Sequence, residues 1–361
     1  MKALKFVNVW LFLPIALGTH AMPGKFTPGK ITNPVVCNAD ATQSYAVYVP
    51  VRGNSQPLPV IYMFDPHGDG ALPLTKYRQL ADVYGFILVG SNNSKNGNDW
   101  ATTGNIWNNL YTDTQKKLKI NGNRVYTCGF SGGAKVAGYI ALEYSMVKSV
   151  IANSAALPDG IGAANYNFGF TGIAGTGDMN MTALAGFCKS LDNTTTRHRM
   201  LLFDGKHEWA PATTMQLAFE GLQLEAMQQG LMAKDDQLVA RLAAQGRQKI
   251  NALSNAGRWI NAKQYCDIFY SYLNGLASDA AWFKQQANLI AAGKPYQAQQ
   301  TQQDDLMNKE QQLEAGYMQQ FRQGDEAYWA KTVGWLQKQA AANTAEGPMY
   351  QRVLAWLSLA F

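Results

Sequence analysis

The sequence predicts an α/β protein, with a mostly parallel sheet covered by helices on both faces, followed by an all-helical C-terminal domain. Between about residues 37 and 212, apolar runs of strand length alternate with segments of helical periodicity, which is typical of parallel strands joined by crossover helices. Beyond this region strand-like runs disappear, and glutamine, which occurs 4 times before residue 211, occurs 23 times after it. A chain of 361 residues has room for two domains.

The N-terminal segment, residues 1–21, has the pattern of a secretory signal peptide. Lys2 and Lys5 precede the apolar run Phe6 to Leu17, and small residues around Ala21 supply a cleavage site. This run is too short to span a bilayer, and no later stretch is long and apolar enough to do so. We therefore expect a secreted or periplasmic protein without a membrane span, with an α/β domain at residues 22–215 and a helical domain at residues 216–361.

Seven strands are predicted in the first domain. Their sequences are SYAVYVP, PVIYMF, FILVGS, RVYTCG, SVIANS, TGIAG and MLLFD. Helices fit between them at Leu74 to Tyr84, Asn108 to Leu118 and Lys135 to Tyr144. Loops at the carboxyl ends of such strands are expected to carry the functional residues.

The segment NRVYTCGFSGG, residues 123–133, is the most informative part of the chain. An apolar strand ends abruptly in GFSGG, and a helical pattern follows. This order matches the G-x-S-x-G nucleophile elbow, in which a sharp turn exposes a serine hydroxyl at the sheet edge. Glycines at 129 and 133 remove Cβ atoms where the backbone must approach itself closely. Ser131 is therefore the candidate nucleophile, and the alternative is a glycine loop that matches the short pattern by chance.

His207 is the candidate general base among the four histidines. His20 lies in the signal segment, His67 precedes the serine, and His198 is flanked by two arginines that oppose its protonation. His207 follows the run MLLFD, so a strand would deliver it to the carboxyl edge of the sheet.

Asp178 is the candidate acid. In proteins that carry a nucleophile elbow on an α/β sheet, the catalytic residues follow the chain order serine, then carboxylate, then histidine. Asp178 follows TGIAG in a glycine-rich loop, and Asp159 and Asp192 are the runners-up. A carboxylate at this position would orient the ring of His207 and stabilise its protonated form. The alternative role for Asp178 is that of an ordinary turn residue.

Two main-chain NH groups are candidates for an oxyanion hole. Gly132 follows the nucleophile, and Asp69 lies in DPHGDG, directly after the strand PVIYMF. Glycines at 68 and 70 would let this loop turn inward toward a substrate. The alternative is a plain tight turn.

Three tryptophans are candidates for contact with a substrate. Trp100 and Trp107 follow the strand FILVGS, and Trp209 lies two residues after His207. Aromatic side chains beside a catalytic edge commonly line a pocket. Packing against the body of the protein is the alternative for all three.

These motifs together resemble a known family. The segments SYAVYVP, PVIYMFDPHGDG, GFILVGSNN, NRVYTCGFSGGAKVAGYIA, GTGDMN and GKHEW resemble secreted esterases of the α/β-hydrolase fold, of the polyhydroxybutyrate depolymerase and feruloyl esterase type, over about residues 37–212. The resemblance implies Ser131 as nucleophile, Asp178 as acid and His207 as base, with oxyanion donors at Asp69 and Gly132. Two motifs depart from the family, since PHGDG stands where LHGC is usual and GFSGGA where GLSAGG is usual.

Charge and composition exclude other classes of function. Removal of the signal segment takes two lysines and lowers the formal net charge from +6 to +4, which is too weak for a nucleic-acid surface without a basic cluster. CxxC, HExxH and clustered His and Cys are absent from the sequence, so neither a metal nor a cofactor is expected. Cys37, Cys128, Cys188 and Cys266 permit two disulfides in three pairings, although a buried free thiol is equally plausible at Cys128.

The sequence therefore predicts an exported serine hydrolase that cleaves carboxylic esters through an acyl-enzyme. A secreted serine peptidase on the same fold is one alternative. The other is a non-catalytic scaffold whose helical domain binds a protein or glycan. This domain is a candidate surface for a protein partner, and its helices are tetratricopeptide-like without a clean repeat, with breaks near Gly257, Gly275, Pro295 and Gly347.

Overall fold

The computed structural model describes residues 26–51 and 56–359, and the predicted signal peptide lies outside these residues. Within them, eight strands form one sheet: β1 (Ile31–Val36), β2 (Ser44–Tyr48), β3 (Leu58–Phe64), β4 (Ile87–Ser91), β5 (Ile120–Phe130), β6 (Val147–Asn153), β7 (Gly169–Gly175) and β8 (His198–Phe203). The α-helices of the described residues are α1 (Ala71–Tyr84), α2 (Trp100–Lys117), α3 (Gly132–Glu143), α4 (Met181–Ser190), α5 (Ala212–Gln228), α6 (Asp236–Asn255), α7 (Trp259–Leu273), α8 (Ala281–Ala292), α9 (Lys294–Gln320), α10 (Glu326–Ala340) and α11 (Gly347–Leu357).

The sheet is mostly parallel, as predicted. Its strand order is β1-β2-β4-β3-β5-β6-β7-β8, and every pair from β4 to β8 in this order is parallel. β1 and β2 pair antiparallel at one edge. All seven predicted strands are present, whereas β1 was not predicted. This strand contains Pro34 and is largely accessible to solvent, so it lacks the apolar run of a central strand and tolerates proline at an edge.

Alternating side chains place one hydrophobic core on each face of the sheet. Along β3, Ile61 and Met63 belong to the cluster beneath α1 and α5. Val60 and Tyr62 belong to the cluster beneath α2, α3 and α4. This alternation follows from the two-residue period of a strand, and it produces the predicted arrangement of helices on both faces.

Helix α5 crosses the predicted domain boundary at residues 215 and 216. Its side chains Phe219 and Leu222 share one hydrophobic cluster with Tyr77 of α1 and Phe269 of α7. The helix therefore packs against α1 of the α/β part and against α7 of the helical part, and the boundary between residues 215 and 216 stays a prediction.

The helical region has two parts. Helices α6, α7 and α8 extend the cluster that lies beneath α5, whereas α9, α10 and α11 surround a separate cluster that includes Leu336, Tyr350 and Val353. Glu310 is the one residue of helix α9 that is buried. Among the described residues, no helix combines the length and the apolar character that a membrane crossing requires. A tetratricopeptide-like repeat stays a prediction.

Candidate active site

Ser131 occupies a strained turn between β5 and α3. Its φ of 55° and ψ of −122° lie in a region that side-chain-bearing residues rarely adopt. The turn depends on two close backbone approaches. A Cβ on Gly129 would lie 2.0 Å from the oxygen of Gly133, and a Cβ on Gly133 would lie 2.0 Å from the oxygen of Phe64. The NH of Ser131 donates to the oxygen of Asn153 at 2.8 Å, which ties the turn to the end of β6.

The structure brings Ser131, His207 and Asp178 together. The Oγ of Ser131 lies 3.0 Å from Nε2 of His207, and Nδ1 of the same ring lies 2.9 Å from Oδ1 of Asp178. With its hydrogen on Nδ1, the ring donates to Asp178 and accepts from the serine hydroxyl. Asp178 is 0% exposed, whereas the His207 side chain is 22% exposed. The histidine is therefore reachable from solvent and is oriented by a buried carboxylate.

The loops that carry the acid and the histidine support each other. The NH of Thr176 donates to the oxygen of Phe203, and the NH of Gly177 donates to the oxygen of Gly205, each at 2.9 Å. Oδ1 of Asp178 also accepts from the NH of Asn180 at 2.9 Å. The two main-chain hydrogen bonds extend the pairing of β7 with β8 beyond the sheet and bring the two loops into register.

The loop after β3 lies at the N-terminus of α1. Gly68 has a φ of 76°, and Oδ1 of Asp69 accepts from the NH groups of Ala71 and Leu72 at 3.1 Å each. Within residues 26–51 and 56–359, no hydrogen bond engages the NH of Asp69 or that of Gly132. Both predicted oxyanion donors therefore keep a free hydrogen, and their catalytic role stays a prediction.

Trp209 lies in a layer behind the histidine. It is 5% exposed and packs on Phe130 at 5.7 Å between ring centroids, and Phe130 in turn lies 4.8 Å from the ring of His207. Its Nε1 donates to Oδ2 of the buried Asp65 at 2.9 Å. Because Oδ1 of Asp65 accepts from the NH of His67, Trp209 links the histidine loop to the loop after β3. The position of Trp209 therefore matches packing against the body of the protein, the alternative to substrate contact given for it.

The other two tryptophans lie on α2 and not in a loop. Asp99 caps this helix by accepting from the NH of Thr102 at 2.7 Å, so the helix begins at Trp100. Trp107 is 1% exposed and packs on Tyr62 at 4.9 Å, so it is a core residue, and the prediction that it lines a pocket is wrong. Trp100 is 42% exposed and stacks on Tyr139, and its contact with a substrate stays a prediction.

Two residues that the sequence reasoning did not single out support the elbow. Asn153 donates from Nδ2 to the oxygen of Gly129 at 3.3 Å, in addition to accepting from Ser131. Asn96 packs its Oδ1 against Gly132, 1.9 Å from where a Cβ would stand. A signal for Asn153 was present, because it ends the predicted strand SVIANS at the same sheet edge. Asn96 has a weaker signal of the same kind, since it lies in the segment that follows the predicted strand FILVGS.

Asp159 and Asp192, the other two candidates for the acid, form ion pairs away from His207. Asp159 binds Lys135 at 2.7 Å, and Asp192 binds Nε2 of His198 at 2.9 Å. Among the described residues, no group of three or more His, Cys, Asp or Glu side chains could hold a metal ion.

The cysteines form no disulfide. Cys37, Cys128, Cys188 and Cys266 are all free and buried, so the two-disulfide alternative is wrong and the free-thiol alternative for Cys128 holds. Burial is the main cause that raises the pKa of Cys37 to about 11 and of Cys188 and Cys266 to about 12. It also raises the pKa of Cys128.

Comparisons with known proteins gave similarities of structure alone. No protein-family model matches the chain, and no curated protein matches it. A hyperthermophilic esterase from the archaeon Pyrobaculum calidifontis is 12% identical over 56% of this chain and 85% of its own, with a TM-score of 0.44. The feruloyl esterase module from Clostridium thermocellum is 13% identical over 52% of this chain and 84% of its own, with a TM-score of 0.44. The S-formylglutathione hydrolase from Staphylococcus aureus is 11% identical over 50% of this chain and 90% of its own, with a TM-score of 0.42. A functional assignment therefore depends on the geometry of the site.

Proposed function

We propose that the protein is an exported serine hydrolase that cleaves carboxylic esters through an acyl-enzyme at Ser131. One observation carries this proposal: a strained serine lies 3.0 Å from an imidazole whose other nitrogen lies 2.9 Å from a buried carboxylate. This arrangement is the one by which a hydroxyl of high pKa becomes a nucleophile at neutral pH. The ester class and export are proposed from the sequence motifs.

The proposed reaction has two half-reactions. Nε2 of His207 takes the proton of Ser131 as Oγ bonds to the ester carbonyl carbon. The tetrahedral intermediate then breaks its bond to the alkoxy group, which leaves as an alcohol with the proton from Nε2. A water molecule attacks the acyl-enzyme by the same route, releases the carboxylic acid and restores the serine. Asp178 keeps the ring in the required tautomer and stabilises its positive charge in both steps.

The developing oxyanion is proposed to be stabilised by the main-chain NH groups of Gly132 and Asp69. The NH of Gly132 lies at the N-terminus of α3, where the helix dipole favours negative charge. Neither NH has a hydrogen-bond partner among the described residues. An NH that is already free gains a hydrogen bond as charge develops without first losing another.

The substitution Ser131→Ala tests the proposal. We expect kcat/KM for p-nitrophenyl acetate to fall by about 10³-fold or more, because removal of the nucleophile eliminates the acyl-enzyme route. A fluorophosphonate probe should label the wild-type protein at Ser131 and leave the folded variant unlabelled.

Ser190→Ala is the matched control, because its hydroxyl donates to the main-chain oxygen of Phe187 at the end of α4. It should hydrolyse the ester and take up the probe as the wild type does. Equal rates for Ser131→Ala and the wild type would contradict the proposal, and a folded wild type that neither hydrolyses the ester nor takes up the probe would favour the scaffold alternative. The same assay with a peptide p-nitroanilide in place of the ester would reveal a peptidase.

A further inference from the structure

The C-terminal helices reach the loop that carries Asp178. Nη1 of Arg352, on α11, donates to the main-chain oxygen of Thr176 at 2.7 Å. Thr176 lies two residues before Asp178, at the carboxyl end of β7. The Arg352 side chain is 7% exposed, so the contact is shielded from solvent.

Glu310 of α9 orients the guanidinium of Arg352. Oε1 of Glu310 accepts from Nε at 2.8 Å and Oε2 accepts from Nη2 at 2.5 Å, and the Glu310 side chain is 2% exposed. Two parallel hydrogen bonds hold a planar guanidinium in one orientation. The third nitrogen, Nη1, is thereby held at the oxygen of Thr176.

Gln351 covers the next residue of the same loop. A Cβ on Gly177 would lie 2.3 Å from Oε1 and 3.2 Å from Cβ of Gln351. On its other side, the NH of Gly177 donates to the oxygen of Gly205 in the histidine loop. The acid loop is therefore enclosed between α11 and the loop that carries His207.

These contacts connect two separately packed parts of the chain. Arg352 belongs to a helix whose apolar side chains, among them Tyr350 and Val353, pack in the cluster of α9, α10 and α11. The two clusters that flank the sheet do not include those side chains. The contacts at Thr176 and Gly177 are therefore specific polar and close-packed connections, and not an extension of a shared core.

We propose that Arg352, oriented by Glu310, is a positioning residue that holds the Thr176 to Asp178 loop in register with His207. Loss of the contact would let the carboxylate move away from the imidazole, and a displacement of about 1 Å in a catalytic constellation lowers turnover by as much as about 10²-fold. The effect on turnover rests on the proposed function, whereas the effect on the loop does not.

The double variant Arg352→Met/Glu310→Met tests this inference. Arg352→Met alone would leave Glu310 buried without its partner and could unfold the protein, whereas apolar replacement of both members of a buried ion pair is often neutral for stability. Arg247→Met is the matched control, since Arg247 of α6 pairs with Asp279 at the surface, with side chains 38% and 48% exposed. Hydrogen exchange and ester hydrolysis are measured on the full-length proteins.

In the double variant, we expect amide exchange in residues 175–181 to accelerate by about fivefold or more as the loop opens locally. We also expect kcat for p-nitrophenyl acetate to fall by about 10- to 100-fold with KM nearly unchanged, because the nucleophile remains accessible while the carboxylate that orients its base is misplaced. Arg247→Met should change neither quantity.

Two results would overturn the inference: exchange in the double variant equal to that of Arg247→Met, or faster exchange with unchanged kcat. Failure of the proposed function is a distinct outcome. It would appear as a wild type that neither hydrolyses the ester nor takes up a fluorophosphonate, and the exchange rates alone would then decide whether Arg352 holds the loop.

Discussion

Single residues in this protein differ mainly in how far water can reach them. Ser131 and His207 are partly accessible, whereas Asp178 and the four cysteines are buried. Burial disfavours the thiolate form of the four cysteines, because an apolar environment removes the solvation that a thiolate requires. The contacts of the Cys128 sulfur with Asn153 and of the Cys188 sulfur with Arg199 and Met200 are long, at 3.8 to 4.0 Å.

We predict that none of the four cysteines reacts readily with a thiol reagent in the native state. A pKa of about 11 for Cys37 or about 12 for Cys188 and Cys266 leaves on the order of one thiolate in a thousand or fewer at pH 8. Titration with a dithiobenzoate reagent should detect four thiols only after denaturant is added. Val36→Cys, at a position that is 48% exposed, should react at once, and fast native labelling of the unaltered protein would contradict the prediction.

At the scale of elements, the strand β5, the turn at Ser131 and the helix α3 act as one unit. The strand ends at Phe130, next to the close approach of Gly129 to the backbone of Gly133, and the helix begins one residue after the nucleophile. Asn153 of β6 and Phe64 of β3 hold this unit from the two neighbouring strands. The position of the serine is therefore determined by three adjacent strands and not by the five-residue motif alone.

We predict that Gly129→Ala destabilises this unit and lowers activity. Its Cβ would lie 2.0 Å from the oxygen of Gly133, and overpacking of this kind costs about 1–3 kcal/mol in the free energy of unfolding. Gly122→Ala on the same strand places its Cβ with nothing within 4 Å and should cost less than about 1 kcal/mol. Urea titration and ester hydrolysis of both variants check this, and equal stability of the two would show that the close approach is not limiting.

At the scale of the whole molecule, buried ion pairs join the sheet to the helices. Arg199 of β8 pairs with Glu225 of α5, with side chains 3% and 1% exposed, and its guanidinium lies 4.3 Å from the ring centroid of Tyr272 in α7. Burial opposes the charge of Arg199, yet Glu225 and Tyr272 raise its pKa above the ordinary value. Arg352 of α11 and Glu310 of α9 form another buried pair, and Arg352 connects it to the end of β7 by its hydrogen bond to the oxygen of Thr176.

We predict that Arg199→Met lowers the free energy of unfolding by about 3–5 kcal/mol, because it leaves the carboxylate of Glu225 buried without a partner. Lys135→Met removes an ion pair in which Asp159 is 88% exposed and should cost no more than about 1 kcal/mol. Thermal and chemical unfolding of both variants give the comparison. A loss for Arg199→Met no larger than that for Lys135→Met would refute a structural role for the buried pair.

Several features were predictable from the sequence because their signals are local. The apolar runs of β2 to β8, the glycine-bounded turn at Ser131, and the positions of Asp178 and His207 after strands all depend on neighbouring residues. The predicted elements differ from the structure where the local signals are weak. β1 lacks an apolar run, and α2 begins earlier than its periodicity suggested.

The sequence by itself determined the α/β class, the order of the strands along the chain and the three residues that could form a triad, since hydrophobic period and turn chemistry operate over a few residues. Only the tertiary structure decided which groups surround that triad. Trp107 and Trp209 are packing residues, Asp65 joins two loops, and Arg352 reaches Thr176 across 176 positions of the chain. Contacts at such separations depend on how whole layers pack together, and no local pattern of residues encodes them.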